Sequence, residues 1–382
     1  MIKFALRRNL IYPLQLIIYN LLRKFETILL KFLFNFNDSL LYTPLMFLGE
    51  FISGLIIYLY QNNFLKQKKS QDKYFLMKFK KYIITSPDNK VKIYALIIFC
   101  AFFDWIQFMI WTVEIPFFIN ISESLVTRLS GITTIIDALF YFFILRLPIF
   151  RHHLFSLIII GICLIIIIIS EFFFQEINIF LPYSSFINVL FLILFCHSLA
   201  AIMDSIEKYL YEYDFLNPYY VLMLEGLSGF FMSFLYFIYP DYLKDIKIVL
   251  KNFDTGKKVF FIFLLFLYTI LCGFRNIYRV ITNKIYSPMA RSLTDYFLNP
   301  IYLIIYFFYK NDFLLNQKRN IAHFIINIIL SILISICGCV YNEFMILFFC
   351  GLEYNTYDQI AKRANILNEL IEINDLNNNE EN

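Results

Sequence analysis

The chain has 382 residues, 60% of them hydrophobic and only 16% charged, and a mean hydropathy of +0.66. Soluble domains carry about 25% charged residues, so the composition excludes a soluble globular protein and describes an integral membrane protein. The net charge of +4 says less than the distribution of that charge, and seven cysteines confined to apolar runs, without a Cys-x-x-Cys, suggest no disulfide framework.

Runs of about 20 apolar residues mark membrane-spanning helices. The first run, Leu10–Leu22, is short and is followed at once by Arg23, Lys24 and Glu26, so it reads either as a span or as an interfacial helix. Leu40–Tyr60 is apolar apart from Glu50. The loop Gln61–Lys92 then holds nine lysines. Ile93–Val113 carries Asp104, and Ser124–Ile144 carries Arg128 and Asp137. Leu154–Ser170 and Pro182–Met203 follow, both free of charge. Tyr219–Tyr239 contains Glu225, Val259–Phe274 has no charge, Pro288–Tyr309 holds Arg291 and Asp295, and Phe324–Asn342 closes the series. The tail from Glu353 has seven acidic and two basic residues; it reads as a short amphipathic helix followed by disorder.

Positive charge orients membrane proteins. With ten spans and the N-terminus in the cytoplasm, cytoplasmic segments hold 20 Lys and Arg, and the opposite side 11. Arg275 and Arg279 are counted there as topology determinants, and Lys208 as a loop residue. The sequons Asn37-Asp-Ser39 and Asn120-Ile-Ser122 fall in outward loops. No small-residue cleavage site follows the basic N-terminus, so no signal peptide is expected.

The two halves repeat each other. Span 2 reads Glu50-Phe-Ile-Ser53-Gly54 and span 7 reads Glu225-Gly-Leu-Ser228-Gly229, preceded by Pro44 and Pro218. Span 4 opens Ser124-Leu-Val-Thr-Arg128 and span 9 opens Ser287-Pro-Met-Ala-Arg291. The glutamates are 175 residues apart and the arginines 163; the longer loop 61–92 absorbs the difference. Five spans per half is an odd number, so the second half sits upside down. Inverted repeats of this kind are the plan of secondary transporters. The expected fold is an all-α membrane protein, with ten transmembrane helices in two inverted five-helix repeats. Residues 1–180 form the first, 181–353 the second, and 354–382 an acidic, Asn-rich cytoplasmic tail.

Ionisable groups inside a membrane are functional candidates. Glu50, Ser53 and Gly54 share one helix face, where glycine and serine let a neighbouring helix approach. Glu50 and Glu225, with Asp137 and Asp295, serve either ion coupling or packing. Arg128 and Arg291 offer a planar fork to phosphate or carboxylate. The plainer readings are a snorkel to the interface for Arg128 and an ion pair with Asp295, one turn on, for Arg291. Lys284, Asn276 and Asp104 complete the candidate solute contacts, with Lys284 otherwise an ordinary loop lysine. His152-His153 lies in a basic loop without repeated His boxes, and no metal site is expected. Neither a P-loop nor a Gly-x-Ser-x-Gly occurs, so neither an enzyme nor an ATP-driven pump is expected, and no cofactor.

At four places the chain resembles the drug/metabolite transporter superfamily, most closely its solute-carrier 35 branch of nucleotide-sugar transporters. These are PLMFLGEF (44–51), IEKYLYEYDFLNPYYVLMLEGLSG (206–229), NKIYSPMARSLTD (283–295) and GCVYNEF (338–344). The resemblance implies ten helices in inverted halves, alternating access and a cavity lined by spans 3, 4, 8 and 9. By the same resemblance, Asn283-Lys284 matches the Asn-Lys of the nucleotide-sugar motif, while Val280-Ile-Thr282 replaces its Gly-Ala-Leu. Together these readings predict an endomembrane carrier (Golgi, ER or lysosome-like) of a small polar or anionic metabolite, such as a nucleotide-sugar. Its partners are the lipid bilayer and the solute, not nucleic acid, and a homodimer is left open. The alternative is a non-transporting membrane scaffold of the same fold that recruits partners through its tail.

Overall fold

A computed structural model describes residues 2–4, 11–34, 39–69, 88–110, 129, 131–145, 149–174, 183–235, 251, 254–309, 317–356 and parts of 359–366. These form the helices α1 (Ile11–Phe34), α2 (Ser39–Lys69), α3 (Asp88–Met109), α4 (Gly131–Leu145), α5 (Arg151–Phe174), α6 (Tyr183–Glu212), α7 (Pro218–Ser233), α8 (Thr255–Ile285), α9 (Pro288–Tyr309) and α10 (Gln317–Tyr341). A helix is the natural answer to such a sequence, because lipid offers no partner for an open backbone group. Six of the helices contain stretches long and apolar enough to cross a membrane: Leu41–Asn62, Lys90–Met109, Arg151–Ser170, Leu190–Glu212, Thr255–Ile285 and Ile321–Tyr341. The protein is therefore a multi-pass, all-helical membrane protein, and the six coincide with six of the expected spans. From Ile11 on, the run Leu10–Leu22 lies within the longer helix α1. The tail beyond 366 lies outside the described residues.

Helix faces sort in the manner of a membrane protein. Leu154, Ile158, Ile162, Ile165 and Ile169 of α5 are exposed, as are Phe260, Phe263 and Phe266 of α8 and Ile325, Ile329, Ile332 and Ile336 of α10. Spaced three or four apart, each set forms one apolar face turned outward. The interior combines apolar clusters with buried Glu50, Asp204, Glu207, Glu225, Asn276, Arg279 and Asn283.

Two helices are drawn against α2 by residues without side chains. A Cβ on Gly226 would lie 2.4 Å from the Phe51 nitrogen, and one on Gly49 would lie 2.3 Å from the Thr269 carbonyl oxygen. Backbones of α7 and α8 thus both touch α2. The α7 start is fixed locally: Pro218 stands in the first turn and the Asn217 side chain accepts from the Tyr219 N–H at 2.9 Å. Asn217 also donates to Gln61 on α2 at 2.9 Å.

Other close pairings are α1 with α8 and α9, α3 with α6 and α7, α4 with α5, α6 and α9, and α10 with α5 and α9. Helix α8 further packs on α6, α7 and α9, α6 on α9, and α2 on α3. The strand β1 (Ile2–Phe4) pairs antiparallel with β2 (Met345–Leu347), Ile2 opposite Leu347, and brings the N-terminal residues beside the chain leaving α10.

Candidate functional site

The most ionic part of the interior lies where α6, α7, α8 and α9 meet. On α6, Asp204, Glu207 and Lys208 occupy positions i, i+3 and i+4, one face of the helix. Helix α8 answers with Asn276, Arg279 and Asn283, again one face. The Arg279 guanidinium is 2% exposed. It donates to Glu207 Oε1 at 2.6 Å and to Glu225 Oε2 at 3.4 Å, and lies 3.9 Å from Asp204 Oδ1. Glu207 also accepts from the Asn283 amide at 3.0 Å and the Tyr211 hydroxyl at 3.4 Å. The Asn283 amide reaches the Asp204 carbonyl too, at 3.0 Å. From α9, Arg291 donates to Asp204 Oδ2. One step toward α2, the Asn276 amide donates to Glu50 Oε1.

Lys208 locks the neighbouring turn. Its ammonium, 2% exposed, donates to the carbonyls of Lys284 at 2.8 Å and Tyr286 at 3.2 Å, and pairs with Glu212 at 2.9 Å. It therefore holds the last carbonyls of α8, which a helix end leaves without partners.

The sequence candidates divide as follows. Glu50, Glu225, Asn276, Asn283 and Arg291 meet in this network. Glu50 and Glu225 sit on the tightly packed pair α2 and α7; a Cβ on Gly226 would lie 2.9 Å from the Glu50 Cβ. Asp104, half-buried on α3, lies within electrostatic range of Glu50 and Arg275. Lys284 is exposed and contributes its carbonyl rather than its charge. Asp137 is buried apart from the network, on α4 near Tyr341. Beside it Thr134 bonds Ser292 at 2.7 Å and Thr133 bonds His197 at 2.6 Å, tying α4 to α9 and α6. Arg128 and the Asp295 side chain lie outside the described residues. Arg291 reaches across to α6, a partner that the spacing of Arg291 and Asp295 does not anticipate.

Two readings change. Arg279 is not a surface topology determinant but the centre of the network, and Lys208 is not a loop residue. The hydropathy of α8 falls at Arg275, yet the helix continues to Ile285 because the next turns find carboxylates instead of lipid. Asp204 was not singled out by sequence, and Glu207 only as part of the stretch 206–229. Their i, i+3 spacing, facing the Asn276, Arg279 and Asn283 row, is the signal that could have found them.

The charges do not cancel. Four buried carboxylates (Glu50, Asp204, Glu207, Glu225) face the guanidiniums of Arg279 and Arg291. With half-buried Arg275 and Asp104, and Arg23 within electrostatic range of Arg275, the named carboxylates still outnumber the named guanidiniums, five to four. Uncompensated buried charge costs several kcal/mol, so the arrangement suits the uptake of protons. No family model matches the chain, and no curated protein matches it.

Proposed function

We propose that the chain is a secondary membrane transporter of a small polar or anionic metabolite, working by alternating access and coupled to protons. The observation that carries this reading is the network of ionisable groups joining α6, α8 and α9. Buried ion pairs are poor stabilisers compared with apolar packing, whereas intramembrane ionisable groups line solute and ion pathways. Each guanidinium is occupied by a carboxylate that an anionic solute can replace. A proton on Asp204 weakens its hold on Arg291, which can then turn toward a solute phosphate or carboxylate. Proton and solute then favour each other's binding, as linkage requires.

Helix packing supports two five-helix halves. A shift of five in helix number carries α1–α8 onto α3–α6, α2–α8 onto α3–α7, α4–α6 onto α1–α9, α4–α5 onto α9–α10, and α2–α3 onto α7–α8. The pairs α2–α7, α4–α9 and α5–α10 map onto themselves. The close pairs α6–α8, α8–α9 and α6–α9 have no counterpart of similar extent in α1–α3, α3–α4 and α1–α4 among the described residues. They are the pairs the network and the adjoining α8–α9 turn hold together. An alternating-access protein closed on one side has this asymmetry.

The pairing of β1 with β2 supports an even number of crossings, with both ends on the closed side, where Tyr286 packs on Phe344 at 5.7 Å. Without Lys208 and Arg279 the count of Lys and Arg is 18 on that side against 11, a bias that still favours the cytoplasm. The likeness to the solute-carrier 35 branch makes nucleotide-sugars the first solutes to try, in an endomembrane setting.

The test is counterflow uptake by purified protein in liposomes, over nucleotide-sugars, nucleotides, sugar phosphates and amino acids, with and without an acid-outside gradient. The expected result is saturable uptake of one class, stimulated by the gradient, with the stimulation lost in Asp204→Asn. Absence of uptake for every solute by folded protein would overturn the reading.

A further inference from the structure

On the side of the β1–β2 pair, far in sequence from the ionic network, three potential metal ligands converge: His152, His153 and Glu343. One ligand atom from each lies within 4.8 Å of the others. His152 and His153 open α5. Glu343 follows α10, held at φ 58°, a left-handed conformation that a non-glycine residue adopts at a cost of about 1 kcal/mol or more. The strained backbone turns its carboxylate toward the imidazoles.

His152 is the informative residue. It is 2% exposed, and neither ring nitrogen makes a hydrogen bond. Leaving buried polar atoms unbonded costs about 1–3 kcal/mol each, so an explanation is required. A plain ion pair with Glu343 does not supply it. The His152 Nε2 to Glu343 Oε1 distance is 3.4 Å, whereas a charge-assisted N–H···O bond closes to about 2.7–2.9 Å. It would also leave the Nδ1–H of a charged His152 buried and unpaired. A tetrahedral zinc-like ion explains the distance: with bonds of about 2.0–2.1 Å, the ligand–ligand edge is about 3.3–3.4 Å. The third ligand is His153, whose ring lies 4.1 Å from that of His152, centroid to centroid. The Phe150 N–H donates to its Nδ1 at 3.3 Å, a long bond that metal binding at that nitrogen would displace.

We infer that His152, His153 and Glu343 form a binding site for a borderline divalent cation of the Zn²⁺ class. Two imidazoles and one carboxylate are a donor set that suits zinc better than Mg²⁺ or Ca²⁺, which prefer oxygen alone. Three protein ligands leave the fourth position to water. The ion clips the start of α5 to the end of α10, and with it the segment that pairs with β1. The clip is independent of the proposed transport chemistry, which lies on other residues.

Full-length protein without a polyhistidine tag is stripped with EDTA and titrated with Zn²⁺ alone. Bound metal is measured by mass spectrometry and thermal stability in parallel. The expected result is about one Zn²⁺ per chain and a raised Tm, with both lost in His152→Asn and Glu343→Gln. In wild-type protein, Co²⁺ in place of Zn²⁺ gives the intense visible bands of a four-coordinate ion, a readout that does not depend on the variants folding. Either result overturns the inference: a wild-type chain that takes up no Zn²⁺ and shows no such bands, or folded variants that bind as much as wild type. Transport assays on the same preparations separate this outcome from that of the transporter reading.

Discussion

Asp204 and Arg291 define the sharpest test of the network. Arg291→Gln leaves Asp204, which is fully buried, with only Arg279 at 3.9 Å as counter-charge. Stranding a buried charge costs about 3–5 kcal/mol. The residual attraction of Arg279 puts this case near the lower end, about 3 kcal/mol. Asp204→Asn takes this counter-charge from the Arg291 guanidinium instead. That side chain keeps 13% exposure, so its head finds water more easily and the cost is smaller, about 1.5 kcal/mol. The double variant places two neutral amides where they can bond each other and costs about 2 kcal/mol, leaving a coupling of about 2–3 kcal/mol. Unfolding in mixed detergent–SDS micelles at several pH values measures all four proteins. In Arg291→Gln the stranded carboxylate can take a proton, so its deficit relative to wild type shrinks as pH falls. Single effects that add within about 0.5 kcal/mol, with no pH dependence of the deficit, would refute the ion pair.

Gly226→Ala sets a Cβ 2.4 Å from the Phe51 nitrogen and forces α7 off α2, a loss of at least about 1–3 kcal/mol. Gly256→Ala meets nothing within 4 Å and should be neutral or stabilising by up to about 1 kcal/mol; thermal unfolding of the two compares them directly. Asn217→Ala removes the cap of α7 and the bond to Gln61, and the same assay should show a loss of about 1–2 kcal/mol. Lys208→Met frees the carbonyls of Lys284 and Tyr286, so a cysteine placed at Ile285 should react with a water-soluble maleimide several-fold faster than in the parent.

Much of the frame was legible in the sequence, because apolar length and the Glu-x-x-Ser-Gly repeat are local signals. That repeat picked out α2 and α7, and Gly54 does lie against Met223, where a Cβ would come within 2.8 Å of the backbone nitrogen. Asn276, Asn283 and Arg291 were readable as polar residues on otherwise apolar helices. Asp204, Glu207, Lys208 and Arg279 were not, for a physical reason. Helices of 30 and 31 residues extend about 45 Å, beyond a hydrocarbon core of about 30 Å. Charges near their ends therefore look the same to a hydropathy window whether they meet water or each other. The His152, His153 and Glu343 group had no local signal, since its third member is supplied by the other end of the chain.

The proposed repeat also gives the network a second partner arrangement. The offset of 175 that relates Glu50 to Glu225 carries Arg279 onto Asp104. In the present state Glu225 has Arg279 as its counter-charge, 3.4 Å away. In the state with the halves exchanged, Glu50 would face Asp104 in the corresponding place. Two carboxylates at close range do not both stay ionised; one keeps a proton. On this proposal the two states differ in which carboxylates lie beside a guanidinium, so they differ in proton affinity, and that difference would couple the conformational change to pH. Asp104→Asn removes one of the carboxylates concerned. Folded Asp104→Asn protein should transport with its stimulation by an acid gradient reduced at least about tenfold, the factor that corresponds to about 1.4 kcal/mol of lost proton linkage. A pH profile of uptake identical to wild type would separate Asp104 from the coupling and leave Glu50 a hydrogen-bonded strut held by Asn276.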